Sequence, residues 1–361
     1  MKSVLIWGRY GNYGPDYPRN RVIESVLREL GHEVTRFLPR LSFLADWEYI
    51  WRGGKKPDLI WVPCFRQRDL PAASRYARRH HIPLVFDPLI SAYDKQVHER
   101  QKFAPDSAKA RRLLAWERGL FQRADWLIAD TAGHADYFAD ELGVARERLV
   151  VIPVGAEEAV FAQQPWPVKP PSAPLELTFF GTFIGLQGVD VLAEAIRTYE
   201  GPPVRWRLIG EGPMRDACQT LLADLCIDGD GPGVVFEPWG PLLELSGRLA
   251  RSAALLGIFG GTDRARRVIP NRVYPGLAIG RPVITASTSA YPESLRANED
   301  QGLFWALPGD TASIQAAVNR LQARRTMLLT LGQAALTSYQ AHFSNQVIAA
   351  GLNRILSLIE H

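Results

Sequence analysis

The hydrophobic residues of the first half of the chain fall into short runs separated by longer amphipathic stretches. Residues 4–7 form an apolar run closed by Gly8, and 19–30 carries Val22, Val26, Leu27 and Leu30 at helical spacing before a stop at Gly31. Further strands are expected at 33–37, 58–62, 84–86, 126–129 and 149–152, with helices at 69–79, 107–122 and 132–142 between them. Short apolar strands alternating with helices of this length give a mostly parallel sheet covered on both faces. A second series follows, with strands near 175–180, 204–209, 233–236, 254–258 and 282–286. Its helices lie near 188–199, 213–225, 241–251, 271–279, 311–323 and 326–339. Between the two series, 163–174 reads Gln-Gln-Pro-Trp-Pro-Val-Lys-Pro-Pro-Ser-Ala-Pro, too rich in proline for helix or central strand and therefore a linker. The pattern predicts an N-terminal domain over 1–162, a linker over 163–174 and a C-terminal domain over 175–341. A last amphipathic helix within 342–361 is placed to return to the N-terminal domain.

Composition agrees with this division. At 361 residues the chain suits two cores of ordinary size, and 47% hydrophobic with 22% charged residues is a globular balance. The formal net charge of +4 permits a local basic surface but lacks the concentration of a nucleic-acid binder, so no nucleic-acid partner is expected. Cys64, Cys218 and Cys226 are widely spaced, odd in number and set in apolar sequence, which points to a reducing compartment. The opening apolar run is too short for a signal peptide, and no uncharged run approaches the ~20 residues that cross a bilayer. The expected location is cytoplasmic, at most peripheral on the inner face of a membrane. Trp47, Tyr49, Ile50 and Trp51, followed by Arg52, Lys55 and Lys56, combine aromatic and basic character. Such a surface suits a lipid headgroup region or an amphiphilic acceptor, and equally core and lid packing.

Ligands of open parallel sheets sit beyond the carboxyl ends of the strands, so the loops there carry the candidate chemistry. The first is Gly8-Arg9-Tyr10-Gly11-Asn12-Tyr13-Gly14, whose glycines allow close backbone approach to a ligand or a plain tight turn. Its spacing departs from the dinucleotide-binding fingerprint, which excludes an NAD reading. The second domain opens with Phe180, Gly181, Thr182, Gly185, Gln187 and Gly188, glycines between a strand and a helix that suit a diphosphate. Gly210-Glu211-Gly212-Pro213 repeats the geometry, with Glu211 suited to a sugar or base hydroxyl rather than a phosphate. Four arginines, Arg264, Arg266, Arg267 and Arg272, crowd the stretch 260–274 together with Asn271 and read either as phosphate ligands or as a solvated face. On the acceptor side, Asp87 follows a strand and Asp94 and His98 lie in the loop beyond; Asp94 reads equally well as a helix cap. No histidine pair has metal-binding spacing, so no tightly bound cofactor is expected, and any Mg2+ would arrive on substrate phosphates.

Several of these pieces recur in order in one family. Val151-Ile152-Pro153-Val154-Gly155-Ala156-Glu157 with Phe161, Phe180-Gly181 with Gly188-Val189-Asp190-Val191-Leu192, Gly210-Glu211-Gly212-Pro213, and Gly280-Arg281-Pro282-Val283-Ile284 are all present. Together they resemble glycosyltransferase family 4 (group 1), retaining enzymes of GT-B fold. The resemblance covers nearly the whole chain and is strongest over 148–290. It implies an α/β protein of two Rossmann-like domains facing across a cleft. It also implies transfer of a sugar from a nucleotide-diphosphate sugar to a glycan or glycolipid acceptor in polysaccharide or glycolipid biosynthesis; Asp87 and Asp94, chosen by their place after a strand, are the candidate catalytic carboxylates.

Two departures qualify the resemblance. The family places Arg and Lys in the loop after the first donor-domain strand, where this chain has Thr182 and Gln187; it also places two glutamates eight positions apart, where this chain has Arg267 and Pro275. A branch of the family carries an Arg-Val-Ile-Pro-Asn-Lys/Arg segment resembling 267–272, so Arg267 or Arg272 is expected to replace the missing charge. The alternatives are an inactive sugar-nucleotide-binding partner and a nucleotide-sugar epimerase of the same fold.

Overall fold

The computed structural model describes residues 1–8, 17–167, 169, 170 and 172–359. It divides into two compact units, Met1–Gly155 with Asn345–His361, and Ala156–Ser344. The first holds a six-stranded sheet of β1 (Ser3–Trp7), β2 (Glu33–Phe37), β3 (Leu59–Val62), β4 (Leu84–Phe86), β5 (Trp126–Ala129) and β6 (Leu149–Val151), in the order β2-β1-β3-β4-β5-β6. Every pairing is parallel. Helices α1 (Pro18–Glu29), α2 (Ala45–Trp51), α3 (Leu70–His80), α4 (Ala108–Phe121) and α5 (Ala132–Asp140) connect the strands.

The alternation along β1 explains the layering. Leu5 and Trp7 enter one core with Tyr49, Tyr76, Phe86 and Phe138, while Val4 and Ile6 enter the opposite core with Val22, Ile23 and Val26 of α1. The C-terminal helix Asn345–Leu358 lays Ile348, Leu352, Ile355 and Leu356 into that second core. Their i, i+4, i+7, i+8 spacing makes one apolar stripe, which is why this last segment belongs to the first unit. Side-chain caps fix two helix starts: the Ser107 hydroxyl accepts from Ala110 N–H (3.1 Å) and the Thr131 hydroxyl from His134 N–H (3.1 Å).

The second unit repeats the design with β7 (Leu175–Phe180), β8 (Val204–Ile209), β9 (Gly233–Glu237), β10 (Ala254–Leu256), β11 (Val283–Ala286) and β12 (Leu303–Ala306), ordered β12-β11-β10-β7-β8-β9 and parallel throughout. Helix α6 (Val189–Arg197) follows β7. Strand order reverses between β1 and β3 in the first sheet and between β7 and β10 in the second, which opens a crevice at the carboxyl ends of those strands. The proline-rich stretch lies against the second unit: the Arg281 guanidinium donates to the carbonyls of Gln164 and Pro165 and stacks 4.4 Å from the Trp166 ring.

Three features differ from the sequence pattern. Helix α2 and strand β12 had no counterpart in it, and Cys226 is exposed rather than set in apolar surroundings, where the helix expected to run to 225 stops at Leu221 and a 3-10 turn, Ala223–Leu225, follows. Cys64 and Cys218 are buried. Among the described residues, no helix is long and apolar enough to cross a membrane.

Candidate functional site

In the second unit the reversal point brings together the loops after β7, β8 and β10. Their glycines are required by mutual contact. A Cβ on Gly210 would stand 2.0 Å from the Gly181 carbonyl oxygen, one on Gly188 2.3 Å from the Gly260 nitrogen, and one on Gly260 2.5 Å from the Leu186 carbonyl oxygen. Glycine at 188 and 210 is thus explained by backbone packing alone. Gly185 differs, since a Cβ there would meet only the Met214 sulphur at 3.9 Å, and both Gly185 and Thr182 are exposed. The loop therefore has a crowded base and an open crest.

Arg272 lies directly beneath that crest. Its Nη2 is 2.2 Å from where a Gly181 Cβ would be, its guanidinium sits 4.0 Å from the centre of the Phe179 ring, and Nη1 donates to the Gly257 carbonyl (2.9 Å). The side chain is buried and no carboxylate pairs with it among the described residues. Burial pulls its pKa down to about 9, which leaves it cationic at neutral pH. A desolvated cation without a counter-charge, under a glycine at the end of the central strand, is an electrostatic seat for an anion.

The neighbouring candidates divide by position. Arg264 is buried, Arg267 and Asn271 are half-buried and Arg266 is exposed, so the arginine run is not a uniformly solvated face. A short helix, Asp263–Arg267, capped by the Thr262 hydroxyl accepting from Ala265 N–H (3.2 Å), presents Arg267 at its end. Gln187 is half-buried, its side-chain oxygen has no hydrogen-bond partner, and its backbone carbonyl accepts from Phe259 N–H (3.0 Å). Glu211 is engaged within its own segment, pairing with Arg215 four residues on.

In the first unit Asp87 directly follows β4 and is buried, with its carboxylate 2.8 Å from Arg19 Nε at the start of α1. Arg19 also donates to the carbonyls of Ile152 (3.0 Å) and Pro153, just past β6. This one guanidinium joins the ends of β4 and β6. Asp87 raises the Arg19 pKa in spite of burial. Asp94 is buried too and opens a π-helical turn, Asp94–Glu99, with its N–H donating to the Ser91 hydroxyl (3.0 Å). That hydroxyl donates to the buried Glu117 carboxylate (2.6 Å), which also accepts from Ala92 and Tyr93 N–H. Glu117 of α4 is therefore the post that fixes the turn carrying Asp94. His98 is exposed, edge-on to Tyr93 with ring centres 5.3 Å apart. Gly8 donates from its N–H to the Phe37 carbonyl and leaves no room for a Cβ beside the Arg66 side chain (2.8 Å). Tyr10, Gly11, Asn12, Tyr13 and Gly14 lie outside the described residues.

Two features of this end escaped the sequence reading. His134 and Asp130 form a buried pair through His134 Nδ1, with the His134 ring parallel to Phe138 at 5.8 Å, and Asp130 is close enough to Asp87 and Arg19 to act on both charges. Phe65 and Leu89, after β3 and β4, hold φ of 63° and 60°, a conformation that costs non-glycine residues about 1–2 kcal/mol each. Such strain clusters where loops are held for function. The Asp-Thr-x-x-His spacing after a strand was a usable signal; the backbone strain had none.

Among the described residues, no three His, Cys, Asp or Glu side chains gather into a metal-binding group.

Comparison with known proteins gives concordant results. Residues 12–155 match the family model described as a glycosyl transferase 4-like domain. WcaL of Escherichia coli, whose name proposes a glycosyltransferase of colanic acid biosynthesis, is 28% identical over 251 residues, covering 66% of this chain and 58% of that relative. Its namesake from Salmonella typhimurium is 27% identical over 206 residues, covering 55% of this chain and 47% of that relative. The matched part spans about half the length of these curated relatives. Among solved structures, Anabaena Alr3699/HepE in complex with UDP has a TM-score of 0.71 at 14% identity, covering 99% of this chain and 100% of that chain. The same Anabaena protein has been solved with UDP-glucose. Sucrose-phosphate synthase (tll1590) from Thermosynechococcus elongatus has a TM-score of 0.70 at 14% identity, covering 99% and 98%. At these identities the likeness establishes the fold of two Rossmann-like α/β domains.

Proposed function

We infer that this chain, of GT-B fold, is a GT4-like glycosyltransferase that moves a sugar from a nucleotide-diphosphate sugar to a glycan or glycolipid acceptor, with retention at the anomeric carbon. The observation that carries the reading is the buried, uncompensated Arg272 beneath the open crest of the Gly181–Gly185 loop. The family's usual basic residues are absent from that loop, and Arg272 brings a cation to the same place from below. UDP and UDP-glucose in the Anabaena relative make UDP-sugars the first donors to try. The printed name of WcaL, a glycosyltransferase of colanic acid biosynthesis, adds support for a glycan product.

Donor binding is assigned to the second unit. The diphosphate rests on the 181–185 loop over Arg272, with Arg267 and Asn271 beside it and the N-terminus of α6 adding its N–H groups. As the glycosidic bond to the leaving phosphate lengthens, negative charge grows on the diphosphate and positive charge on the sugar ring. A cation held in place by packing stabilises the former without reorganising. Acceptor binding is assigned to the first unit, where Asp87, held by Arg19, and Asp94, held through Ser91 by Glu117, are the candidate hydroxyl-positioning carboxylates.

The test is incubation with a labelled donor and a panel of glycan and glycolipid acceptors, with the product read by anomeric proton couplings. A glycoside of the donor's own configuration is the expected result. An epimerised nucleotide sugar formed without acceptor, or donor binding with neither transfer nor hydrolysis, would overturn the reading.

A further inference from the structure

Exposed large apolar side chains concentrate in one short segment of the first unit: Leu38, Leu41, Phe43, Leu44, Trp47, Ile50 and Trp51. Phe43 is 64%, Trp47 60% and Trp51 86% exposed, values far from those of a packed core. Leu44, the residue before α2, and Trp47, Ile50 and Trp51 on it are exposed at i, i+3, i+6 and i+7, one stripe of about 120° at 100° per residue. The opposite face is firmly seated. Ala45 and Tyr49 are buried, and the Tyr49 ring packs against Trp7, Phe37 and Tyr76 at 4.9–5.3 Å. The helix is thus anchored by one face and presents aromatics on the other.

Charge around the stripe has one prevailing sign. The two acids of the segment are occupied: Asp46 is buried against Arg75 (2.6 Å), and Glu48 pairs with Arg52 (2.6 Å) while accepting from Arg40 N–H. The Arg40 side chain, Lys55 and Lys56 are exposed, and the Arg79 guanidinium stands 5.4 Å over the Trp47 ring. Tryptophan rings with a basic fringe fit the boundary between lipid headgroups and acyl chains, where the ring buries its apolar body and the cations meet lipid phosphates.

We propose that the face formed by residues 38–56 docks the protein on a bilayer rich in anionic phospholipid. The proposal does not rest on the glycosyltransferase reading, because it is argued from the exposure and charge of residues 38–56 alone. Each aromatic contributes apolar burial in the interface, and each lysine near the surface adds about fivefold to partitioning, from ~1 kcal/mol per basic residue.

The experiment is flotation of the full chain with phosphatidylcholine vesicles and with equal parts phosphatidylcholine and phosphatidylglycerol, alongside size-exclusion light scattering and tryptophan emission. Wild type is expected to float with the anionic vesicles at low salt, with its tryptophan emission shifted to the blue. Trp47→Ser with Trp51→Ser should abolish flotation while leaving thermal unfolding unchanged, since both rings are exposed. Lys55→Ala with Lys56→Ala should weaken partitioning about 25-fold. Absence of wild-type flotation with either vesicle, equal flotation of the tryptophan variant, or a wild-type dimer that the tryptophan variant dissolves would each overturn the proposal; the last would assign the face to a second copy of the chain.

Discussion

Replacing Arg272 by Met separates its electrostatic role from its role in packing. Methionine keeps an unbranched, apolar side chain in contact with Phe179 but removes the charge. Nη2 lies against Gly181, 2.2 Å from where a Cβ would be, so a charge resting on the far side of the loop is taken at about 4 Å. Two unit charges about 4 Å apart interact by about 4 kcal/mol at an effective dielectric of 20. Water on the open side of the loop reduces this, and ~1.5–3 kcal/mol is the usual contribution of a hydrogen bond to a charged group. The expected loss of affinity for UDP is therefore about 10- to 150-fold. Stability should move little, because the substitution removes a cation–π contact worth ~1–2 kcal/mol but also a buried charge that no carboxylate compensates. Titration calorimetry with UDP, paired with urea denaturation of the same variant, reads both quantities. Unchanged affinity together with a loss of several kcal/mol in stability would refute the reasoning and make Arg272 purely structural.

Other outcomes follow from the same geometry. Arg281→Ala should destabilise the second unit by at least ~3 kcal/mol in urea denaturation, since its guanidinium serves the carbonyls of Ala250, Gln164, Pro165, Ile279 and Gly280 and each buried acceptor left bare costs ~1–3 kcal/mol. UDP affinity should stay unchanged in that variant. In the native protein one thiol, the exposed Cys226, should react with a thiol reagent, while the buried Cys64 and Cys218 should react only on unfolding; burial pushes both of their thiols up, Cys218 to about 11. Burial holds the His342 imidazole below its ordinary 6.5, so the unfolded chain takes up this proton first and stability should fall as pH drops below about 6.5. His342→Gln should flatten that slope in denaturation curves measured between pH 7 and pH 5.

The sheets were legible because their strands are short apolar runs bounded by turn residues. Expected strands at 33–37, 84–86, 126–129, 175–180 and 204–209 coincide with β2, β4, β5, β7 and β8. Helix α2 was hidden because its polarity is inverted: Trp47, Ile50 and Trp51 are exposed while the acid Asp46 is buried and Glu48 half-buried, so the helical period does not read as an apolar core face. Strand β12 is four residues behind a polar stretch, too short for alternation to register. Glu211 pairs with Arg215 although it lies in the loop before the helix that Arg215 opens, so helical spacing did not foretell the pair. Arg19 and Asp87 are 68 residues apart and meet only because β4 lies beside β3 and α1 follows β1, which no local pattern contains. The seat of Arg272 under Gly181 is likewise a product of β7 and β10 being neighbours. The arginine run marked the region, and the topology selected which arginine lies under the loop.

The most direct test of the account is ligand-detected binding of UDP-, GDP-, ADP- and dTDP-sugars to the purified chain, with free nucleotides as controls. The account predicts that one donor is held selectively and is lost when Arg267 and Arg272 are both replaced by Ala. Binding that survives the double replacement, or no binding to any donor, would contradict it.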